Sequence, residues 1–335
     1  MSGTAAEVLA LLRSWEAAPT EPEPLVLETS GSTGLPKRVR LSRAAMRASA
    51  AATSARLGGP GQWLLGLPPT YVAGLQVLFR SVVAGTEPVM QDGDLAAAMT
   101  SMTGERRYVS LVPTQLHRIL QDPAQARLLG TFTNVLVGGA HIPADLRALS
   151  AEQRVRVVAT YGTSETCGGC VYDGVPLDGV SVAVDADGRV RLAGPVLFDG
   201  YDGRPDLTEE VVRDGWFLTE DLGRLDEDGK LQVLGRIDDV VVSGGVNVPT
   251  STVAARLQEH VAVTAAAVVG VPDPEWGHRV VAFVVGELDL DAARDWVDEV
   301  QPRSWAPREL FRLATIPLLS NGKVDRVRLQ RVARG

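Results

Sequence analysis

"LETSGSTGLPKRVRLS", residues 27–42, sets a run rich in glycine and hydroxyls between an apolar stretch and a helical one. Leu25-Val26-Leu27 reads as a strand leading into it, and Ser42 to Ser49 reads as a helix leading out. The loop is not the phosphate loop of kinases and GTPases, which needs Lys directly after Gly and a hydroxyl directly after Lys. Gly31, Gly34 and Lys37 are spaced G-x-x-G-x-x-K instead, with Pro36 before the lysine and Arg38 after it. G-x-G-x-x-G, the dinucleotide fingerprint, does not occur. What remains is Thr29, Ser30, Gly31, Ser32, Thr33, Gly34 and Lys37, a turn whose N–H groups, hydroxyls and cation can wrap an anion. An ordinary Gly/Ser surface turn is the competing reading.

Outward from this loop, short apolar runs alternate with amphipathic stretches. The expected strands are Trp63–Leu67, Pro88–Met90, Tyr108–Val112, Asn134–Gly138 and Val155–Tyr161, and the expected helices Ala73–Ala84, Thr114–Leu120 and Ala144–Leu149. Such alternation predicts an α/β fold with a largely parallel sheet. After Gly174 the texture shifts to short strands joined by DADG (185–188) and DEDG (226–229), which read as hairpins of a small β subdomain. A second cycle begins near residue 240: a helix at Pro249–His260, a strand at Ala265–Val271, a helix near Leu290–Val300 and a strand near Leu310. We therefore expect a large layered α/β domain with a β subdomain over 1–237, and a small mobile α+β domain over 238–335.

The 335 residues are 45% hydrophobic, enough for two cores, and carry 33 Lys plus Arg against 41 Asp plus Glu, a net charge of −8. That acidic balance argues against a nucleic-acid partner. No apolar run is long enough to span a bilayer, and the N-terminal "MSGTAAEVLALLRSWEAAP" lacks the basic start of a secretory signal, so a cytoplasmic location is expected. Cys167 and Cys170 form C-G-G-C; a redox pair is one reading, two reduced thiols in a loop the favoured one. His141-x-x-x-Asp145 resembles the H-x-x-x-D of acyltransferases, a reading that a single such histidine disfavours, and His117, His260 and His278 read as structural or exposed.

Five further stretches share the chemistry of the opening loop. Gly138-Gly139-Ala140 ends a strand where backbone can approach a flat ligand. Tyr161-Gly162-Thr163-Ser164-Glu165-Thr166 offers a ring, hydroxyls and a carboxylate. GWFLTEDLG (215–223) supplies Asp221; GRIDDVVVSGGVNV (235–248) supplies Arg236, Asp238, Gly244 and Gly245; SNGKVDR (320–326) supplies Lys323. Taken singly, Arg236 with Asp238 could be a surface ion pair and Lys323 a solvated turn.

In this order the blocks resemble the adenylate-forming family, whose members include acyl-CoA synthetases, and the resemblance runs from Leu25 almost to the end. It implies that the Thr29–Lys37 loop holds the departing phosphates of ATP, and that Tyr161 stacks on adenine beside Gly139, Ala140 and Gly162. It implies further that Ser164 touches the α-phosphate, that Glu165 ligates Mg2+, and that Asp221 and Arg236 hold the ribose. Lys323 is implied to bridge the acid's carboxylate and the α-phosphate, Asp238 to be a hinge, and Gly244 and Gly245 to line a thioester site for CoA.

A short stretch before the loop, with "LPPTYVAGLQVLFRSVVAGTEPV" and "SLVPTQLHRIL", is similar to the o-succinylbenzoate–CoA ligases within that family. This implies a keto-acid substrate with a second, aromatic carboxylate, and Thr70, Tyr71, Gln115 and Arg118 as candidates to meet it. Three positions depart from the family: Tyr71 where many members have His, Glu220 where Gly precedes the ribose acid, and Val246 in place of a frequent Glu. A ligase for another aryl or fatty acid, or a protein holding AMP or acyl-AMP without turnover, remain the alternatives, and a homodimer is compatible with everything above.

Overall fold

The computed structural model describes residues 2–29, 37–91, 94–318 and 324–334. The chain divides into two compact units, one of residues 1–183, 191–219 and 225–231, the other of 184–190, 220–224 and 232–335.

In the first unit, β1 (Leu25–Thr29) and β2 (Lys37–Leu41) pair antiparallel, Thr29 opposite Lys37, on either side of the opening loop. The central sheet comprises β3 (Gln62–Leu65), β4 (Val89–Met90), β5 (Arg107–Leu111), β6 (Asn134–Val137), β7 (Val157–Thr163), β8 (Gly168–Tyr172) and β9 (Val175–Pro176). Their order is β4-β3-β5-β6-β7-β8-β9; β3 to β7 are parallel, while β8 runs antiparallel to both β7 and β9. Leu64, Val109, Leu111, Val135, Leu136 and Val137 are buried, as parallel strands covered on both faces require. α1 (Ala5–Glu16) precedes β1, and between strands run α2 (Arg43–Arg56), α3 (Val72–Ala84), α4 (Leu95–Ser101), α5 (Pro113–Leu120), α6 (Pro123–Leu129) and α7 (Ala144–Glu152). Leu116, Ile119, Ala126, Leu129 and Leu146 of the later helices share one core with Val109, Val135 and Val137.

Local chemistry sets the helix ends. Ser42 accepts a hydrogen bond from the Ala45 N–H at the start of α2, Asp94 and Asp122 do the same for α4 and α6, and Gly85 closes α3 at φ 65°. Along α3 every residue from Gly74 to Ser81 is buried, including Gln76 and Arg80, so this helix carries polar groups into the interior.

Beyond β9 come the short strands β10 (Ser181–Val184) and β11 (Arg189–Ala193), then β12 (Gly200–Tyr201), which pairs with β2. The DADG turn joins β10 to β11, and the DEDG turn joins strand Trp216–Leu225 to strand Leu231–Arg236, the hairpins read from sequence.

In the second unit, strands Val240–Ser243, Val246–Pro249, Val263–Asp273, Gly277–Gly286 and Glu309–Arg312 form one sheet. Alternation splits its core in two. Val280, Ala282 and Val284 face helices Thr250–Gln258 and Leu290–Asp298, while Val281 and Phe283 face helix Arg326–Val332 through Leu329.

Candidate active site

The site grows from the carboxyl ends of two neighbouring parallel strands, where α/β sheets place ligands. Val137 of β6 lies opposite Ala159 of β7, so Gly139 and Tyr161, each two residues further on, fall at the same level. Gly139 and Ala140 are exposed and Tyr161 half-buried. After β7 the chain turns through a short 3₁₀ segment, Ser164–Thr166, and returns as β8. Thr166 fixes this turn: its hydroxyl accepts from the Thr163 N–H at 2.9 Å and donates to the Gly168 carbonyl at 2.8 Å. Gly162 is glycine because β8 passes so close; a Cβ there would lie 2.1 Å from the Gly168 carbonyl oxygen. The resemblance sets Gly162 beside adenine; in the structure the close passage of β8 also demands a glycine there.

Glu165 is 9% exposed, and its Oε1 accepts a hydrogen bond from the Tyr201 hydroxyl at 2.8 Å. Its carbonyl accepts from the Phe198 N–H at 2.8 Å. The Lys37 ammonium lies 5.4 Å from the centre of the Tyr201 ring. Three residues far apart in sequence, Lys37, Glu165 and Tyr201, are thereby joined. Among the described residues no group of three or more His, Cys, Asp and Glu could hold a metal. A lone carboxylate beside a phosphate site still suits magnesium, which takes one or two carboxylates and fills its shell with phosphate and water oxygens.

Beside these strand ends is a cavity of about 160 Å³, lined by Gly138, Gly139, Thr160, Gly162 and Gly168 on one side and by Gln76, Arg80 and Tyr172 on another. Leu67, Val72, Leu111, Val112 and Leu136 supply apolar wall. Arg80 is 7% exposed and Gln76 1% exposed. The Arg80 guanidinium sits 5.0 Å over the Trp63 ring, yet its Nε has no hydrogen-bond partner, and neither does Gln76 Oε1. Burial lowers the pKa of Arg80, opposed by electrostatic interaction with the neighbouring Tyr172. A cation kept in such a place calls for an anion.

None of the four residues expected to meet the acid lines this cavity. Gln115 is committed to local structure, accepting from the Val112 N–H at 3.0 Å and donating to the Gly66 carbonyl at 2.8 Å. Arg118 is exposed on α5, Tyr71 is 59% exposed, and Thr70 is half-buried. Arg80 and Gln76 were missed. The available signal was two polar residues on the buried stretch of an otherwise apolar helix.

Asp221 is half-buried in strand Trp216–Leu225, and Arg236 ends strand Leu231–Arg236; both belong to the second unit. Arg236 forms an ion pair with Glu220. Asp238 lies in the turn Ile237–Asp239. Gly244 and Gly245, with φ of 58° and 79°, make the two-residue turn of a hairpin in which Ser243 faces Val246, so turn chemistry alone requires them. A Cβ on Gly244 would lie 2.8 Å from the Trp276 ring. Cys167 and Cys170 are buried free thiols, Cys167 in the turn just before β8 and Cys170 within that strand. Burial pushes both pKa values up, that of Cys170 to about 12, so neither is a thiolate near neutrality. Ser30, Gly31, Ser32, Thr33, Gly34 and Lys323 lie outside the described residues; Thr29 is within them, its hydroxyl 3.3 Å from the Lys37 carbonyl.

The chain matches the AMP-binding enzyme family over residues 16–201 and the C-terminal domain of AMP-binding enzymes over 252–323. A protein of Mycobacterium tuberculosis named as a probable 2-succinylbenzoate–CoA ligase is 44% identical over 92% of this chain and 84% of its own. Among solved structures, the o-succinylbenzoate CoA synthetase of Bacillus subtilis with its acyl-adenylate intermediate is similar at a TM-score of 0.80 and 28% identity, over 91% of this chain and 68% of that one. The same enzyme with ATP and a magnesium ion gives 0.78 and 27%, over 91% and 69%.

Proposed function

The chain belongs to the AMP-binding enzyme family, and on that premise we propose that it is an AMP-forming acid–CoA ligase whose acid is 2-succinylbenzoate, as in menaquinone biosynthesis. The observation that carries the choice of acid is Arg80, a buried guanidinium with an unpartnered Nε in an apolar cavity at the strand ends. A monocarboxylate uses its one charge at the phosphorus and brings none for Arg80. A substrate with a second carboxylate, on an aromatic ring, brings both the charge and the flat apolar body.

In the first step an oxygen of the aliphatic carboxylate attacks the α-phosphorus of ATP. The new C(O)–O–P bond forms as the bond to the β-phosphate breaks, and pyrophosphate leaves. The barrier is charge on phosphoryl oxygens, so fixed donors and cations do most of the work. Thr29 to Lys37 hold the departing phosphates; Tyr161, Gly139, Ala140 and Gly162 form the adenine seat; Ser164 meets the α-phosphate; Asp221 and Arg236 hold the ribose; Lys323 bridges carboxylate and α-phosphate. Glu165 holds magnesium, which neutralises phosphate charge when bound. In the second step the CoA sulfur attacks the acyl carbon, C–S forms, C–O breaks and AMP leaves. Asp238 is the hinge of the small domain, which supplies Lys323 to the first step and Gly244 and Gly245 to the second. We propose a cytoplasmic location with the acid, ATP and CoA as partners, a homodimer being compatible with this; among the described residues no helix is long and apolar enough to cross a membrane.

The test is mass spectrometry of products from 2-succinylbenzoate, ATP, magnesium and CoA, with benzoate and octanoate in parallel. The reading requires the 2-succinylbenzoyl thioester and AMP. Equal turnover of either control acid, or no pyrophosphate from any of the three, overturns it.

A further inference from the structure

We propose that Tyr201 is a positioning residue for adenylation, holding one oxygen of Glu165 so that the other is presented to magnesium, and seating Lys37 on its ring. The inference rests on the reading of Glu165 given above. A buried carboxylate takes its direction from its donors, and the Tyr201 hydroxyl is 2.8 Å from Glu165 Oε1. The tyrosine ring is itself held: Phe198 meets it edge-on at 5.0 Å, and Phe217 meets Phe198 at 5.6 Å. The Tyr201 N–H donates to Thr208 Oγ1 at 2.9 Å.

The segment from Phe198 to Asp202 grips the site at two places. Phe198 binds the Glu165 main chain, while Asp199 and Asp202 donate N–H bonds to the carbonyls of Arg40 and Arg38 at 2.9 and 2.8 Å. Those arginines lie on β2, whose first residue is Lys37. One short segment thus ties the strand leaving the phosphate loop to the carboxylate assigned to the metal. Phenylalanine would fill the same space and keep the aromatic stack. The hydroxyl, by contrast, serves Glu165.

The experiment compares wild type, Tyr201→Phe, Glu165→Gln and the double variant, using Mn2+ affinity in the presence of ATP by electron paramagnetic resonance. Alongside it, pyrophosphate release is followed across magnesium concentrations. Tyr201→Phe is expected to weaken Mn2+ affinity and raise half-saturating magnesium by about tenfold, the effect of one lost bond to a charged group, with the maximal rate largely recovered at high magnesium. In the double variant the tyrosine change adds less than about twofold to the Glu165→Gln loss, since the two act as one unit. Unchanged metal affinity in Tyr201→Phe, a rate loss equal at every magnesium concentration, or full additivity overturns the role. If wild type itself releases no pyrophosphate, the functional reading falls instead, so the two failures are distinct.

Discussion

Two parts of the molecule use the same residue types in opposite settings. Around the β7–β8 turn and the cavity beside it, Glu165 and Arg80 are each under 10% exposed. Around the turn Ile237–Asp239, Arg236 pairs with Glu220 at side-chain exposures of 42% and 39%, and Arg326 pairs with Asp239 at 38% and 23%. Water and salt screen the second set and scarcely reach the first. Charge therefore specifies chemistry in the cavity, whereas at the turn it only biases geometry. Substitutions in the two places should differ by orders of magnitude.

The largest effect is expected at Arg80. Arg80→Met keeps length and apolar volume and removes the charge. Losing one member of a buried charge pair costs roughly 2–5 kcal/mol, so kcat/KM for 2-succinylbenzoate should fall by about a hundredfold or more. The analogue lacking the aromatic carboxylate, 4-oxo-4-phenylbutanoate, should lose little. The apo protein should be at least as stable, because a buried, unpaired cation is replaced by an apolar side chain. Steady-state kinetics on the two acids and a thermal melt check this; an equal loss on both acids breaks the assignment.

Next comes Gly162→Ala, which asks whether the turn is as rigid as the contrast requires. The added methyl meets the Gly168 carbonyl oxygen, backbone that can yield only if β8 moves. Overpacking of this kind costs about 1–3 kcal/mol. Denaturant unfolding should show a lower midpoint at an unchanged slope. A midpoint equal to wild type would mean that the β7–β8 turn gives way easily.

The parallel sheet was legible because strands buried on both faces are nearly continuous apolar runs, as in "RYVSL" at Arg107–Leu111. β2 was not: "KRVRL" reads as charge, and only its period of two, with Val39 and Leu41 buried, shows a strand. The short helices Leu95–Ser101 and Pro123–Leu129 escaped because seven residues give little periodicity, though Asp94 and Asp122 announce both. The site divided along similar lines. The strand-end positions of the Gly138–Ala140 and Tyr161–Thr166 stretches could be read, since glycines and hydroxyls following an apolar run mark where a strand stops. Arg80 and Tyr201 could not, because their meaning comes from contacts between α3 and β3 or between Glu165 and Tyr201, 36 positions apart. The Gly244-Gly245 pair was visible, but sequence cannot tell a hairpin turn from the wall of a tunnel.

The smallest effect belongs to Glu220→Gln, and it probes the other half of the contrast. The substitution removes the charge that holds Arg236 while keeping the shape of the side chain. A half-exposed pair contributes at most about 1 kcal/mol, so the KM for ATP should rise by less than about fivefold with kcat nearly unchanged. Because the Debye length shrinks from about 10 Å at 0.1 M salt to about 3 Å at 1 M, wild type and variant should converge as salt is raised. Arg80→Met should show no such convergence, its partner being shielded from ions. A loss at Glu220 of tenfold or more that persists in high salt would mean that Arg236 works in a dry environment, and the distinction between specifying and biasing charges would fail at that position.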